Sequence, residues 1–344
     1  MLDTIRLRAH NPADVVRAAE LLRAGHLVAF ATETVYGLGA NALSPEAVEC
    51  IFVAKQRPAW DPLIVHIARV EEIDQIAVVP DELRECVEQL AAAFWPGPLT
   101  MLLPKSAAVP EAVTAGRPLV GVRVPAHPAA QALLRAVGLP IAAPSANRFG
   151  HTSPTTAEHV FADLGGRIEA VLDAGPTNVG IESTVIDVTQ SPIVQYRPGA
   201  ITPQQIEETC GVAVKIYAAS LSEKAEPESL PSPGVGIRHY APRARVVLTD
   251  GSPEAVLRRA AEAGQGNRAA KVGVLLPIGW PAPESAIVQP WAAWEHPGRL
   301  AATLFAGLRA LDARGVEQIV CPLPPAGGVY EAIRDRLMKA AREA

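Results

Sequence analysis

The chain has 344 residues, 49% of them hydrophobic, and a formal net charge of −5; that length and apolar content supply a sizeable core and suggest two domains. The acidic balance argues against a general nucleic-acid coat and leaves room only for a local basic cleft. Cys50, Cys86, Cys210 and Cys321 are far apart and form no CxxC pair, which argues against a zinc or disulfide framework. No stretch approaches the roughly 18 apolar residues of a membrane span, so the sequence reads as a cytoplasmic protein with no membrane partner.

Helices and strands alternate from the start. Asn11-Pro12 opens a helix that presents Val15, Val16, Ala19 and Leu22 before Gly25 stops it. Residues 28–67 are the stretch around which the chain is organised. A short apolar strand over 28–31 runs into Thr32-Glu33-Thr34, and Gly37 and Gly39 are read as a tight turn beside those hydroxyls. Ser44-Pro45 starts a helix that ends at Lys55-Gln56-Arg57-Pro58, followed by a strand over 63–67 that contains His66. A helix is predicted over 80–94, broken by Trp95-Pro96-Gly97-Pro98. Strands follow over 99–103 and 119–124, then a helix over 128–137 closed by Gly138 and a short apolar run over 141–143 entering Pro144-Ser145-Ala146-Asn147. A helix over 154–164, strands over 185–188 and 193–196 and a helix over 203–209 complete this part.

Beyond residue 210 the texture changes. Residues 218–243 are rich in Ser, Pro, Glu and Gly and read as a linker, although Ser232 and the run Arg238-His239-Tyr240-Ala241-Pro242 bring donors and turns that a plain spacer does not need. From Arg245 the alternation resumes as a small parallel α/β unit: strands over 246–249, 272–276 and 318–321, helices from 253, near 298–313 and near 330–341, and a loop-rich insertion over 279–298.

Chemistry is expected where polar residues interrupt apolar strands. Lys55 and Arg57 resemble a phosphate clamp, since a point charge and a planar fork neutralise different oxygens of a polyphosphate; a basic pair at a helix C-terminus equally serves the helix dipole. Ser145 and Asn147 leave a strand end as Thr32 and Thr34 do, which favours a shared crevice over an ordinary turn. Arg123, inside the apolar strand LVGVRVP, asks for an anion, whether a ligand or an internal carboxylate. By itself His66 reads as a core histidine, and Glu182-Ser183-Thr184 and Arg197-Pro198-Gly199 read as turns.

Several stretches together resemble one family. TETVYGLG, the Lys55-Gln56-Arg57 clamp, PLIVH, Ser145-Ala146-Asn147, IESTVID and RPGAIT stand in the order found in the YrdC-like threonylcarbamoyl-adenylate synthases, and SPGVGIRHYAP with the unit after it resembles the long form of that family. The resemblance implies a YrdC-like twisted mixed-sheet α/β domain with an open cleft (1–210), a linker folding over the active site (211–243) and a small Rossmann-like α/β domain (244–344). It implies an enzyme that condenses L-threonine, bicarbonate or CO2 and ATP into threonylcarbamoyl-AMP and releases pyrophosphate, serving downstream proteins that transfer the threonylcarbamoyl group to tRNAs reading codons that begin with A.

Carried over by position, Lys55 and Arg57 are the catalytic phosphate ligands. Asp61, Ser145, Asn147, Ser153, Arg197, His239 and Tyr240 join them at the nucleotide, and Thr34, His66, Arg123, Ala143 and Ser183 form the threonine pocket. Ser232 is a further contact of the linker. Magnesium is expected to be held mainly by the ATP phosphates. Two positions depart from the family pattern: Asp61 stands where Asn is usual, and Leu119 replaces a small hydroxyl residue. Three other readings compete: a double-stranded RNA-binding module with weak tRNA affinity, a carbamoyl-adenylate former of the hydrogenase-maturation type, and a regulatory protein that kept the fold without catalysis.

Overall fold

The structure is a computed structural model that describes residues 2–217, 232, 239–263, 271–284 and 286–342. The remainder of the expected linker, 218–231 and 233–238, lies outside the described residues. The chain divides into two compact units, one built from residues 1–149, 154–178 and 182–236, the other from 150–153, 179–181 and 237–344.

In chain order the first unit contains β1 (Ile5–Arg8), α1 (Pro12–Arg23), β2 (Val28–Ala31), β3 (Tyr36–Asn41), α2 (Pro45–Lys55), β4 (Ile64–His66) and α3 (Asp81–Phe94). It continues with β5 (Leu99–Pro104), α4 (Glu111–Thr114), β6 (Leu119–Arg123), α5 (Pro128–Val137), β7 (Ile141–Ala142) and α6 (Ala157–Leu164). The last elements are β8 (Ala170–Asp173), β9 (Thr184–Asp187), β10 (Ile193–Arg197), α7 (Pro203–Cys210) and β11 (Val214–Ile216). The strands form one mixed sheet in the order β1-β8-β2-β3-β7-β4-β6-β5-β9-β10-β11.

Local chemistry explains the boundaries that matter. Ser44 caps α2 by accepting from the Ala47 amide, with Pro45 at the first helical position, and Gly138, in the left-handed region, closes α5. Four strands of this unit are not anticipated. β1, β8 and β11 are only three or four residues long, too short to show a period. β3 occupies the place expected for a glycine turn. Gly37 and Gly39 serve there as flat strand positions: a Cβ on Gly39 would stand 3.0 Å from the Phe30 ring and 3.1 Å from both the Ile141 side chain and the Val28 carbonyl.

One face of the sheet carries the main core, in which Val65, Met101, Val122 and Ile186 pack with Val48, Ile51 and Leu90 from α2 and α3. On the opposite face α1 and α5 cover the β1-β8-β2 end through Leu22, Leu133, Phe30 and Ile141. Farther along, that face carries a small cluster of Ile64, Leu102 and Val185, against which Leu119 packs. Leu119 thus has an apolar job at the start of β6.

The sheet must also curl. β3, β7 and β4 lie between β2 and β6, about 19 Å in a flat sheet at the usual strand spacing. Yet Arg123 at the end of β6 touches Glu33 and Thr34 just after β2, farther than an arginine side chain reaches across a flat sheet. The β2–β3 connection therefore folds over a trough.

The second unit has β12 (Arg245–Thr249), α8 (Pro253–Ala263), β13 (Val272–Leu276), β14 (Ile287–Pro290), α9 (Pro297–Ala313), β15 (Gln318–Pro322) and α10 (Gly328–Ala340). Its sheet is parallel throughout, in the order β12-β15-β13-β14. Within 279–298, read as a loop-rich insertion, the chain forms the edge strand β14. Among the described residues no helix is long and apolar enough to cross a membrane.

Candidate active site

The end of α2 separates its two cations. Lys55 is the last helical residue, and Gln56 follows in the left-handed region at φ 54°, a conformation that costs a non-glycine residue on the order of 1 kcal/mol. That twist sends the side chains of Lys55 and Arg57 to different partners. The Lys55 ammonium donates to the carbonyls of Ser145 and Asn147, both at 2.5 Å, which joins the clamp to the loop after β7. Burial pushes the Lys55 pKa well below the ordinary lysine range, and the Arg57 charge adds to the shift.

Arg57 donates to the carbonyls of Asp61, at 3.2 Å, and Pro62, at 2.7 Å, and approaches the Asp61 carboxylate at 2.9 Å. Both side chains are buried. Asp61, the departure from the family pattern, therefore meets a cation four residues earlier. Ser145 pairs with Gly37 through backbone, and Ala143 donates its amide to the Ile64 carbonyl at 2.9 Å, so Pro144 to Asn147 sits beside the start of β3.

Arg123 is the centre of a second cluster. Its guanidinium donates to the Glu33 carboxylate at 2.6 Å, the Thr34 hydroxyl at 3.0 Å and the Gly97 carbonyl at 3.2 Å. Burial pushes the Glu33 carboxyl up, but the charge and hydrogen bond of Arg123, with the backbone N–H groups of Glu33 and Ala126, together hold it below the usual carboxylate range. Thr34 bonds on to Thr32 at 2.8 Å. His66 is the in-register neighbour of Arg123 on the adjoining parallel strand, edge-on to Phe30, and its Nδ1 is buried without a hydrogen-bond partner among the described residues. Across the trough, Ser183 bonds to Thr100 at 2.8 Å, and Arg197 donates to the Ser183 carbonyl at 2.9 Å and hydroxyl at 3.0 Å.

His66 makes stability depend on pH. Burial lowers its pKa to about 3, and Arg123 pushes the same way. Its folded value lies below the unfolded one, so its contribution is complete above the unfolded value of about 6.5 and is lost as pH falls from there toward 3. Urea unfolding at pH 7 and pH 5 is expected to show a loss of about 2 kcal/mol from this residue. His127, lowered chiefly by burial, acts in the same direction. His66→Gln should remove the larger part of the slope, and an unchanged slope would contradict the assignment.

The sequence-derived residues thus fall into groups. Lys55, Arg57, Asp61, Ser145 and Asn147 come together, as do Thr34, His66 and Arg123, with Ala143 linking strand β4 to the loop; Ser183 and Arg197 form a pair. Ser153, His239 and Tyr240 belong to the second unit. There Tyr240 adopts a left-handed φ of 62°, stacks on Phe305 at 5.7 Å and meets the His239 ring at 4.2 Å, and Ser153 is fully buried. Ser232 is also fully buried, and its hydroxyl meets no hydrogen-bond partner among the described residues. Among the described residues no group of three or more His, Cys, Asp or Glu is arranged to hold a metal.

The profile of a family described as "Telomere recombination" matches residues 20–199, and that of the "Threonylcarbamoyl-AMP synthase, C-terminal domain" matches 201–342. The threonylcarbamoyl-AMP synthase of Pyrococcus abyssi is 43% identical over 326 residues, covering 94% of this chain and 93% of the relative. The chain belongs to the threonylcarbamoyl-AMP synthase family. A Bacillus subtilis member is 43% identical over 338 residues, covering 96% of this chain and 94% of its own length. The solved structure of P. abyssi Sua5 complexed with L-threonine matches with a TM-score of 0.88 at 40% identity, over 98% of this chain and 97% of that one. Escherichia coli YciO, at 23% identity and a TM-score of 0.52 over 60% of this chain, shares the fold.

In this member of the synthase family, sequence reasoning missed Glu33, Thr100 and the Gly97 carbonyl. Glu33 stood in plain view between Thr32 and Thr34, as an acid at the end of a buried strand with an arginine awaiting an anion elsewhere. Pairing the two required the curl of the sheet. Thr100 carried no signal, since a threonine in a strand is commonplace.

Proposed function

We propose that the chain condenses L-threonine, bicarbonate or CO2 and ATP into threonylcarbamoyl-AMP with release of pyrophosphate, supplying proteins that transfer the group to tRNA. The observation that carries this reading is the continuity of the two clusters. Lys55 holds the Ser145–Asn147 loop, that loop pairs with the start of β3, and the segment just before β3 supplies Thr34 and Glu33 to Arg123. A polyphosphate clamp and an amino-acid pocket are thereby brought into direct connection.

The chemistry asks for placement more than for a nucleophile. The threonine amine takes up CO2 as a carbamate, and a carbamate oxygen attacks the α-phosphorus as pyrophosphate leaves. Arg123 suits the threonine carboxylate, and the open Nδ1 of His66 and the hydroxyls of Thr34 and Ser183 suit the threonine side chain. Lys55 and Arg57 suit the phosphates, whose charge grows on the departing side. Ser145, Asn147 and Arg197 are assigned to the nucleotide. Magnesium enters as the companion of the ATP phosphates. Asp61 is assigned to the nucleotide as well, and its ion pair with Arg57 also orients the clamp. The roles of Ser153, His239 and Tyr240 at the nucleotide, and of residues 211–243 as a closing linker, rest on the motifs alone.

The test is pyrophosphate release from ATP by purified protein with magnesium, comparing L-threonine, L-serine, L-valine and no amino acid, with and without bicarbonate. Release that needs bicarbonate and prefers threonine supports the reading. ATP turnover with carbamoyl phosphate alone, or RNA affinity without turnover, would replace it.

A further inference from the structure

The arginine assigned to the substrate carboxylate already has a carboxylate. Glu33 sits 2.6 Å from Arg123, and both side chains are almost wholly buried, at 7% and 5% exposure. Arg123 takes Oε1, and the backbone N–H groups of Glu33 and Ala126 also favour the charged carboxylate. Oε2 is buried and meets no hydrogen-bond donor among the described residues, a costly arrangement for a charged group unless a donor arrives during function. Arg123 shows the complementary condition: one NH of each terminal nitrogen is spent on Glu33 and Thr34, the edge a carboxylate needs for a bidentate contact.

A free α-amino acid is a zwitterion whose two poles match this pair in reverse. We propose that Glu33 recognises the amino pole of the substrate by an exchange of ion pairs: the incoming carboxylate takes Arg123 from Glu33, and Glu33 accepts the substrate N–H. The inference rests on the amino-acid pocket proposed above and names its specificity device. One N–H survives when the amine becomes a carbamate, so the same acceptor serves before and after CO2 uptake. In the exchanged state the amino pole stands where Arg123 stood, so the Glu33 carboxyl stays ionised and accepts the substrate N–H. A lone carboxylate must compete with Glu33 for Arg123 and gains nothing in return, whereas a zwitterion is compensated at its other end.

The exchange predicts effects of opposite sign on two ligands. L-Threonine and (R)-3-hydroxybutyrate, the same molecule without its amino group, are titrated into full-length wild type, Glu33→Gln and Glu33→Asp by ligand-observed NMR, which reads millimolar binding. In Glu33→Gln the threonine Kd should rise about 10- to 100-fold, while (R)-3-hydroxybutyrate binds as well as or better than before. Glu33→Asp, checked by its melting curve, keeps the charge and should keep the preference for threonine. Equal weakening of both ligands in Glu33→Gln would reduce Glu33 to a brace for Arg123 and overturn the proposal, as would no change in either. Wild type that takes up no threonine would overturn the synthase reading itself, an outcome distinguishable from the others.

Discussion

Arg57→Ala is expected to lower the free energy of unfolding by about 3–5 kcal/mol, because it withdraws the guanidinium from the fully buried Asp61 carboxylate. Burying an ion is tolerable only while its counter-charge and hydrogen bonds stay in place. The backbone adds to the loss, since Arg57 also ties down the Asp61 and Pro62 carbonyls. Arg57→Ala with Asp61→Ala removes both charges and should recover most of the stability measured by urea unfolding. Pyrophosphate release should not recover, because the phosphate ligand is gone. If the double variant is no more stable than the single one, the pair is not what sets the cost. If it regains turnover, Arg57 is not a phosphate ligand.

Lys55→Ala should act in the reverse proportion, with a modest effect on folding and a large one on chemistry. Two carbonyls, of Ser145 and Asn147, lose their donor, a cost of about 1–3 kcal/mol that water can partly offset. Turnover should fall about 100- to 1000-fold, in the range seen when a preorganised group facing transition-state charge is removed. Threonine affinity, carried by a different cluster, should stay near wild type. Lys55→Arg is not expected to rescue: a planar fork cannot replace a compact ammonium enclosed by two carbonyls at 2.5 Å. Measuring KM for ATP and for threonine in the same variants separates the two clusters. A rise confined to threonine would reverse the assignments.

Apart from the four-residue α4, the helices were legible in the sequence because they carry their own punctuation, such as Ser44-Pro45 before α2 and Gly138 after α5. The longer strands were legible too. What escaped were β1, β8 and β11, defined only by their partners, and β3, whose glycines looked like a turn because a sequence does not show the ring of Phe30 pressing on Gly39. The site followed the same division. Residues with unusual chemistry for their position, such as Arg123 in a strand or Lys55 and Arg57 at a helix exit, announced themselves. Their partners did not. Glu33 lies 90 residues from Arg123 in sequence, and Asp61 looked like a departure until Arg57 was found beside it.

The position of β8 bears on how the protein is made. It fills the gap between β1 and β2, strands that leave the ribosome about 165 and 140 residues earlier. At about 5–20 residues per second, those two strands wait on the order of 10–30 s with neighbouring edges open. Open edges invite pairing with another chain, so the nascent chain is at its most vulnerable to misassembly through this interval, and a chain stopped before Ala170 carries an unfilled slot where its sheet should close.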